Sequence, residues 1–523
     1  MSKNKITIGS RGSDLALWQA NFIFGELKKI GQSAEIKIIK TQGDKIQDLS
    51  FDKLEGKGFF TKEIEDALLS GEIDLAVHSH KDLPTESPEG LIIAAVSERE
   101  DPSELILIRK ECVDEKQKFS FKKNAIVGTS SARRKSQLLA FRSDVKITDL
   151  RGNIPTRIQK LRDKKYDAIM LAAAGVERLQ LDISEFHTEK ISPKEFVPAP
   201  AQGVLALQIR EKDKALFDLL QKINFPDVAE TLAVERKVLN LFDGGCQLPL
   251  GVYCEKEEDE NGEFVFKTWI SRANAWNDFP KQMYFESLKT EGLAEKIVAK
   301  INSIKSNSVF ITRNFRTADY FRNALSAQGF TVNAKSLIEF KKIIFRTTIS
   351  QDWIFFSSKH AVKYFFEQKP MLSENTKIGT IGKATADEIR KFGKRADFIG
   401  YSTDTRLTGK QFAAVVGRKS VLFPQAKGGM KSIQQNIPQS QVTDLSVYET
   451  IEFSEVIPFA ETLVFTSPSN VESFFKKNKI SPEQKIVAMG DATANTLKKF
   501  KIRVHKQPIT FDDLGLVQAV LGV

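Results

Sequence analysis

Cys246 stands in the stretch GGCQLPLG, directly behind two glycines and shortly before Pro249. The glycines allow a tight turn and leave space for another group to approach, and the proline discourages a following helix. The thiol is therefore predicted to be displayed on a bend. The alternative interpretation is a small apolar loop residue, because most unpaired cysteines are buried and inert.

Basic and hydroxyl-bearing residues recur in five short segments, each at the predicted end of a strand. These residues are Arg11 and Ser13 in SRGSD, Lys57 and Lys62 in GKGFFTKE, Lys81 in HSHKDLP, Thr129, Ser130, Ser131, Arg133 and Arg134 in GTSSARR, and Arg151 and Arg157 in LRGNIPTR. Each of them alone could be a surface residue. Because guanidinium groups bind carboxylates through paired hydrogen bonds, the whole set in one cleft predicts a ligand with many carboxylates.

Asp82 is the acid in this basic set that directly follows a predicted apolar strand, IDLAVHSH. In a partly desolvated cleft its carboxylate could exchange a proton with a ligand or stabilise a developing positive charge. Helix capping and a salt bridge with a neighbouring arginine are the alternatives. His78 and His80 lie on one side of the strand, but a metal site needs a third ligand nearby, so we predict none.

The composition is typical of a globular protein with several domains. The 523 residues suffice for roughly three or four domains, and 41% of them are hydrophobic and 28% charged. The three cysteines, Cys112, Cys246 and Cys254, are too few for a disulfide framework or a zinc site, which favours a reducing cytoplasm. No apolar run reaches the length of a signal peptide or a membrane span, so we expect neither secretion nor membrane insertion.

The formal net charge of +11 favours an anionic partner. Nucleic-acid-binding proteins tend to carry runs of lysine and arginine with aromatic residues for stacking. Here the arginines of the five segments stand singly or in pairs beside glycine, serine and threonine. This placement favours discrete carboxylate or phosphate groups over a nucleic acid or a membrane surface.

The elements that must position these residues alternate between β-rich runs and helical patterns over the first two hundred residues. KITIG is followed by a helix from about Ser13 to Lys29, and AIVGTSSARRKSQLLAF reads as strand, turn and helix. The alternation predicts α/β domains with largely parallel sheets and ligands at the carboxyl ends of the strands. After GVLALQIR the pattern loosens into a smaller α+β region that ends near the linker IKSNS.

An internal repeat follows the linker. FFSSKHAVKYFF (355–366) matches VFTSPSNVESFF (464–475), and IGTIGKATADEIRKFG (378–393) matches IVAMGDATANTLKKFK (486–501), which predicts two similar α/β lobes. Four hydroxyl residues lie near the predicted helix starts: Ser358, Thr385, Ser467 and Thr493. They are either simple helix N-caps or part of paired helix N-termini that bind anionic groups across a cleft.

The motifs HSHKDLP, GTSSARR, LRGN, PAQG and GGCQLPLG, in this order over residues 5–304, resemble the hydroxymethylbilane synthase family, also called porphobilinogen deaminase. Residues 307–520 are similar to uroporphyrinogen-III synthase through the weaker motifs ITRN, VYET, FTSPS and two G-x-A-T-A turns. The resemblance implies a bifunctional enzyme, a transferase joined to a lyase, of tetrapyrrole and heme biosynthesis. Four porphobilinogen molecules would be condensed to hydroxymethylbilane with release of ammonia, and this product would be cyclised with inversion of its last ring to uroporphyrinogen III.

The resemblance also implies the fold. We expect two α/β lobes like those of periplasmic binding proteins, a small α+β domain, and a two-lobed α/β region. The first deaminase lobe is expected to comprise residues 1–99 and 200–220, and the second residues 100–199. The cofactor-carrying domain is expected over 221–304. The first synthase lobe is expected to comprise 307–341 and 452–523, and the second 342–451.

The roles of individual residues are implied in the same way. Cys246 would carry a dipyrromethane as a permanent thioether, and Asp82 would be the catalytic aspartate, which assists deamination and stabilises positive charge on each pyrrole nitrogen. Lys81, Ser131, Arg133 and Arg134 would bind the cofactor, and Arg11, Ser13, Lys57, Thr129, Arg151, Arg157 and Gln202 would bind substrate. In the second half, Tyr448 would protonate the departing hydroxyl group, with Ser358, Thr385, Ser467 and Thr493 at the substrate.

The chain departs from the family pattern at a few positions. His80 stands where a methionine is more usual, and Ala201 where a glycine is more usual; neither change touches a group with a chemical role, so we expect activity to survive. Gln425 and Lys427 stand near a position that often holds an arginine, which affects part of the second carboxylate site. The loop 44–58, which includes Lys57, is expected to cover the cleft.

Three alternatives remain open from the residues themselves. The second half could be an inactive partner domain, or the lobes could form a polyanion-binding module. The third alternative is a protein that binds nucleic acid through its net charge of +11. We expect small-molecule substrates, porphobilinogen and hydroxymethylbilane, with no nucleic acid, no membrane and a monomeric chain.

Overall fold

The computed structural model describes residues 5–41, 61–243, 248–259, 261–346, 348–401, 405–429 and 431–523. The chain divides into two compact units, which we call unit 1 (Met1–Ile304) and unit 2 (Lys305–Val523). Within the described residues, no helix combines the length and apolar character needed to cross a bilayer.

Lobe A of unit 1 is a five-stranded sheet covered by helices. Its strands, in spatial order, are β2 (Ala34–Ile38), β1 (Ile6–Ser10), β3 (Leu75–Ser79), β10 (Leu205–Arg210) and β4 (Leu91–Val96). Its helices are α1 (Asp14–Lys29), α2 (Lys62–Leu69) and α6 (Lys214–Leu220). The apolar side chains of β1, β3 and β10 pack against α1 in a core that includes Ile8, Ile23 and Leu207.

Lobe B has the same plan. Its strands, in spatial order, are β7 (Lys146–Thr148), β6 (Ile126–Gly128), β8 (Ala168–Ala172), β5 (Glu104–Arg109) and β9 (Phe186–Ile191). Its helices are α3 (Ala132–Phe141), α4 (Ile154–Arg162) and α5 (Ala173–Leu179). Two apolar clusters, one around Phe121 and Phe196 and one around Leu107 and Leu161, form its core.

Both sheets are mixed, so the expectation of largely parallel sheets is wrong for unit 1. β10 runs antiparallel to β3 and β4, and β5 runs antiparallel to β8 and β9. The chain leaves lobe A after β4, returns to it at β10, and inserts the returning strand between β3 and β4. Two strands joined by a helical crossover within one lobe run parallel. Strands that are connected through the other lobe lack such a crossover, so they can pair antiparallel.

The third domain of unit 1 is a three-stranded antiparallel sheet of β11 (Leu250–Glu258), β12 (Phe264–Arg272) and β13 (Lys281–Ser287). Two helices, α7 (Pro226–Leu241) and α8 (Leu293–Asn302), pack against each other and the sheet. Helix α7 also contacts β4 of lobe A, so it joins the third domain to the lobe that carries Asp82.

Unit 2 contains two sheets. Lobe C is a parallel sheet of β15 (Thr331–Ala334), β14 (Ser308–Ile311), β22 (Thr462–Phe465) and β23 (Lys485–Ala488). Lobe D contains β16 (Ile338–Lys342), β21 (Val442–Glu452), β20 (Val421–Ala426), β17 (Trp353–Phe356), β18 (Lys377–Thr380) and β19 (Phe398–Ile399). β16, most of which the expected boundaries assign to the other lobe, pairs antiparallel with β21 in lobe D.

The helices of unit 2 include the four that the predicted repeat requires. They are α9 (Tyr320–Ser326), α10 (Lys359–Phe366), α11 (Lys383–Arg390), α12 (Thr405–Val416), α13 (Pro468–Phe475), α14 (Asp491–Lys499) and α15 (Asp513–Leu521). β17 and α10 correspond to β22 and α13, and β18 and α11 correspond to β23 and α14. The predicted α/β class and the lobed architecture are confirmed.

Candidate functional site

The turn that follows β3 carries two of the predicted site residues, Lys81 and Asp82. His80–Asp82 form one turn of 3₁₀ helix, in which Lys81 is half-buried and Asp82 is exposed. Lys81 Nζ donates to Gln202 Oε1 at 3.3 Å. Burial, opposed by the charge of Asp82, lowers the pKa of Lys81 to about 8.

Glu104, the first residue of β5, is the carboxylate at the centre of this region, and its side chain is fully buried. Its two oxygens accept from Arg133 at 2.7 Å and from Arg134 Nε at 2.8 Å. Burial alone would raise the pKa of Glu104, but the charges of Arg134 and Arg133 outweigh it and lower that pKa to about 2. The carboxylate therefore stays ionised and fixes both guanidinium groups.

Arg133 and Arg134 reach Glu104 because they occupy the first turn of α3. Ser131 is the N-cap of this helix, and its Oγ accepts from the Arg134 amide at 3.4 Å. Thr129 Oγ1 accepts from the Ser131 amide at 3.4 Å, and Ser130 bonds to the backbone of Leu150. These hydroxyl groups thus shape the turn that presents the arginines.

Arg157, in α4, approaches the same region from lobe B. Its Nε donates to the carbonyl of Gly152 at 2.7 Å. Burial and the charge of Arg134 lower the pKa of Arg157 to about 10, against the opposing charge of Asp82. Arg157, Arg134 and Asp82 are therefore close enough to interact electrostatically.

Gln202 is fully buried and forms hydrogen bonds with residues of both lobes. Its Nε2 donates to the Pro102 carbonyl at 2.8 Å and to Glu104 at 3.3 Å, while its Oε1 accepts from Lys81. We call the set Lys81, Asp82, Glu104, Arg133, Arg134, Arg157 and Gln202 the charged cleft. Four cations against two carboxylates leave it with an excess of positive charge that an acidic ligand would neutralise.

A second buried ion pair supports the charged cleft. Glu235 of α7 is fully buried, pairs with Arg99 at 2.7 Å, and accepts from the amides of Ala201 and Cys254. Arg99 in turn donates to the Gln202 carbonyl at 3.1 Å. Glu104, Arg99 and Glu235 were not among the predicted residues, although an acid that opens the apolar strand ELILIR is a signal that could have pointed to Glu104.

The remaining predicted residues of unit 1 differ in their surroundings. Ser13 caps α1 by accepting from the Ala16 amide at 3.4 Å. Burial, with a smaller contribution from the charge of Arg11, lowers the pKa of His78 to about 4. Arg151 is half-buried at the start of the α4 turn. Cys246 and Lys57 lie outside the described residues.

In unit 2, Tyr448 and Ser358 meet. Ser358 caps α10 by accepting from the Ala361 amide at 3.1 Å, and its Oγ lies 3.2 Å from the Tyr448 hydroxyl. Burial raises the pKa of Tyr448, although the hydrogen bond with Ser358 opposes this shift. The rings of Phe340 and Tyr364 pack around Tyr448 at centroid distances of 5.5 and 5.6 Å.

The other hydroxyl residues of the repeat divide into two kinds. Ser467 caps α13, as the capping interpretation predicts. Thr385 and Thr493 are not caps: Gly382 and Gly490 occupy those positions, and each threonine is buried in the first helical turn. An added Cβ at Gly490 would lie 2.7 Å from Phe511, which explains why glycine takes the cap position there.

In lobe D, Gln425 and Lys427 lie near the position that often holds an arginine in the family. Gln425 is buried and accepts from Gln434 Nε2 at 2.9 Å, so its side chain is held within the lobe. Lys427 is exposed, and its amide donates to the Tyr448 carbonyl at 2.8 Å.

Comparison with known proteins identifies both units. Residues 6–218 match the family model described as porphobilinogen deaminase, dipyromethane cofactor binding domain, and residues 319–518 match uroporphyrinogen-III synthase HemD. The porphobilinogen deaminase of Chloroherpeton thalassium is 42% identical over 300 residues, covering 56% of this chain and 92% of the relative. That of Oceanobacillus iheyensis is 46% identical over 258 residues, covering 49% and 82%.

A solved uroporphyrinogen-III synthetase from Helicobacter pylori aligns with 41% of this chain and 98% of its own, at 16% identity and a TM-score of 0.31. The chain belongs to the porphobilinogen deaminase family through unit 1 and carries a uroporphyrinogen-III synthase HemD domain in unit 2. It is therefore a bifunctional enzyme of tetrapyrrole biosynthesis, as its motifs predict.

Proposed function

We propose that unit 1 joins four porphobilinogen molecules into hydroxymethylbilane with release of ammonia, and that unit 2 closes this product to uroporphyrinogen III with inversion of the last ring. The observation that carries the proposal is the charged cleft, in which Asp82 is close enough to Lys81 and Arg157 to act on the pKa of each. Each pyrrole ring of porphobilinogen bears an acetate and a propionate. A growing chain of such rings matches a cleft with excess positive charge.

The charged cleft also fits the dipyrromethane that names the matched family domain. We assign its carboxylates to Lys81, Ser131, Arg133 and Arg134, and its thioether to Cys246, which lies outside the described residues. Burial leaves the pKa of Lys81 well below its usual value, so an added carboxylate would stabilise the protonated amine. When bound, the cofactor supplies the free pyrrole α-carbon to which the first substrate is joined.

Asp82 would act at the reacting substrate. Breaking the carbon–nitrogen bond of the aminomethyl group releases ammonia and leaves positive charge on the substrate pyrrole. The Asp82 carboxylate, exposed at the cleft and adjoining Lys81, can bond the pyrrole N–H and stabilise this charge. After the new carbon–carbon bond forms, the same carboxylate can take the α-proton that the acceptor ring loses.

The substrate carboxylates would be held by the remaining predicted residues of unit 1. These are Arg11, Ser13, Lys57, Thr129, Arg151, Arg157 and Gln202. The hydrogen bonds of Ser13, Thr129 and Gln202 within the protein support a positioning role for these three residues, whereas the arginines carry the charge that a carboxylate needs.

Tyr448 is our candidate acid in unit 2. Its raised pKa keeps the phenol protonated at neutral pH, and Ser358 orients the hydroxyl group at 3.2 Å. Loss of water from hydroxymethylbilane breaks a carbon–oxygen bond, and a donor at the departing oxygen lowers this barrier. Amides at the starts of α10 and α13, capped by Ser358 and Ser467, would bind carboxylates together with the first turns that contain Thr385 and Thr493.

The location and assembly state are part of the same proposal. The sparse cysteines fit a reducing compartment, and we assign the enzyme to the cytoplasm as a monomer that binds small molecules.

The isomer of the cyclic product tests the proposal. The full chain, given porphobilinogen, is expected to release mainly uroporphyrinogen III, measured by chromatography after oxidation to porphyrins. Mainly type I product would mean that unit 2 is an inactive partner domain. Absence of any tetrapyrrole, combined with tight porphobilinogen binding, would favour the binding-module alternative.

A further inference from the structure

The loop that joins β12 to β13 in the third domain presents an exposed tryptophan. Trp276 is 48% exposed, whereas tryptophan side chains are on average largely buried. A turn within the loop fixes the backbone on both sides of this residue: the Ala275 amide donates to Asp278 Oδ2 at 3.0 Å, and the Asp278 amide donates to the Ala275 carbonyl at 3.1 Å. The turn therefore holds the indole ring at the surface of the third domain.

The Trp276 ring contacts lobe B at the helix that carries the arginines of the charged cleft. Lys135 Nζ lies 5.2 Å from the centre of the indole ring, within the range of a cation–π contact. Lys135 directly follows Arg134 in α3, and its Nζ also pairs with Asp149 Oδ1 at 2.7 Å. Asp149 in turn stands two residues before Arg151, which we assign to the substrate. The ring thus lies beside two segments of lobe B that carry ligand-binding arginines of the proposed function.

The same loop lies at the end of the third-domain sheet where β11 begins. The Ala273 amide, at the start of the loop, donates at 3.0 Å to the carbonyl of Pro249, the residue directly before β11. Pro249 stands three residues after Cys246, to which we assign the thioether of the cofactor. The loop that carries Trp276 therefore connects a residue close in sequence to Cys246 with the arginine-bearing helix of lobe B.

An exposed indole ring supplies an interaction that the charged cleft does not. The residues of the charged cleft have charged or amide side chains, which suit the carboxylates of a ligand. Each added porphobilinogen unit also brings a planar pyrrole ring, and such a ring is stabilised when it stacks on an aromatic surface. Because nearly half of the Trp276 side chain is open to solvent, its ring has room for this contact.

We propose that Trp276 is a further substrate-binding residue of unit 1, on which a pyrrole ring of the growing chain stacks. This role rests on the proposed function, because the ligand is the chain that unit 1 extends. Ser131, Arg133 and Arg134, in the cap and first turn of α3, are assigned to the cofactor, and Trp276 contacts the next residue of the helix, Lys135. The ring that reaches Trp276 is therefore one that is added after the cofactor is in place. Attachment of the cofactor itself does not need Trp276.

Intact mass of the full chain, followed in time after mixing with a limiting amount of porphobilinogen, tests this role because it counts the rings attached to each molecule. Trp276→Ala is expected to carry the dipyrromethane as isolated. It should slow at least one later addition by about tenfold, the order of magnitude for loss of one aromatic contact, so that the preceding intermediate accumulates. Trp276→Phe keeps an aromatic face and should remain within about threefold of the unchanged chain.

Phe264→Ala is the matched control. Phe264 is 54% exposed on the same sheet and has Lys256 Nζ 4.6 Å from its ring centre, but it begins β12, at the opposite end of the strand from the loop. This variant should leave every addition unchanged. Unchanged additions in Trp276→Ala, equal losses in Trp276→Ala and Trp276→Phe, or an equal loss in Phe264→Ala would each overturn the role of Trp276 alone. An unaltered chain that gains no ring would instead contradict the proposed function, and the role of Trp276 with it.

Discussion

The two units handle an acidic, pyrrole-bearing molecule with different means. Unit 1 brings buried charged side chains together: Glu104 fixes Arg133 and Arg134, and Lys81 and Asp82 stand beside them. Unit 2 offers a hydroxyl pair, Tyr448 and Ser358, and the capped starts of two helices. A buried charge network is destroyed by a single substitution, whereas backbone amides are retained through many changes of sequence.

This difference predicts that single substitutions have larger effects in unit 1 than in unit 2. The first test is Asp82→Asn, which removes the negative charge but keeps the shape of the side chain. We expect deamination of porphobilinogen to slow about a thousandfold, within the usual range for loss of a general acid or base, while the dipyrromethane remains attached. Asp227→Asn is the matched control, because Asp227 forms a surface ion pair with Lys256. Near-normal turnover of Asp82→Asn would remove Asp82 from the mechanism.

Glu104→Gln tests whether the charge network is also structural. The substitution leaves Arg133 and Arg134 buried without their counter-charge, so we expect the free energy of unfolding of unit 1 to fall by about 3–5 kcal/mol. Because the pKa of Glu104 is lowered to about 2, the stabilisation that it gives is present at neutral pH and is lost as the pH falls from about 4.5 to 2. Denaturant titration measures both effects.

Glu185→Gln is the control for that experiment, since Glu185 pairs with Arg162 at the surface. It is expected to change the stability by less than about 1 kcal/mol. Equal effects of the two substitutions would contradict a special role of the buried network.

Tyr448→Phe tests unit 2. We expect cyclisation of hydroxymethylbilane to slow about a hundredfold, at the lower end of the effects of proton donors, with a shift of the product from type III toward type I. Tyr364→Phe is the matched control: its ring lies 5.6 Å from that of Tyr448, but its hydroxyl donates to the Phe340 carbonyl instead. If both variants keep the type III product, catalysis in unit 2 depends on shape and backbone amides alone.

The smallest effect concerns pH. With a pKa of about 8 in the cofactor-free protein, Lys81 loses its charge between pH 7 and 9, so the rate at which the cofactor-free protein takes up dipyrromethane should show an alkaline limb and fall about tenfold over this range. Lys81→Arg should flatten the alkaline limb, because the guanidinium group stays charged. Cyclisation by unit 2 should show no such limb, since the raised pKa of Tyr448 keeps that group protonated. An alkaline limb that persists in Lys81→Arg would assign it to another group.

The comparison also explains what the sequence could and could not predict. The turn motifs HSHKDLP and GTSSARR lie at strand ends, so their convergence at one cleft follows from the α/β pattern alone. Glu104 could not be assigned a partner, because its arginines come from a helix that follows another strand. The mixed sheets escaped prediction for a similar reason: β10 pairs with β3 and β4 across more than one hundred residues of chain.

Two smaller points concern the local backbone. Thr385 and Thr493 lie near the helix starts, as predicted, but Gly382 and Gly490 take the cap positions, so the capping interpretation is wrong for these two threonines. Ala201, expected to be a harmless replacement, has a left-handed backbone with φ of 63° and lies fully buried beside Gln202. Its amide donates to Glu235 of the third domain at 2.7 Å, a contact that no local pattern reveals.

The most direct test of the whole account is the intact mass of the purified full chain. We predict a mass above that of the polypeptide by one dipyrromethane, and loss of this excess in Cys246→Ser. An unmodified polypeptide mass, both as isolated and after incubation with porphobilinogen under reducing conditions, would contradict the assignment of unit 1 as a deaminase that extends a bound pyrrole chain.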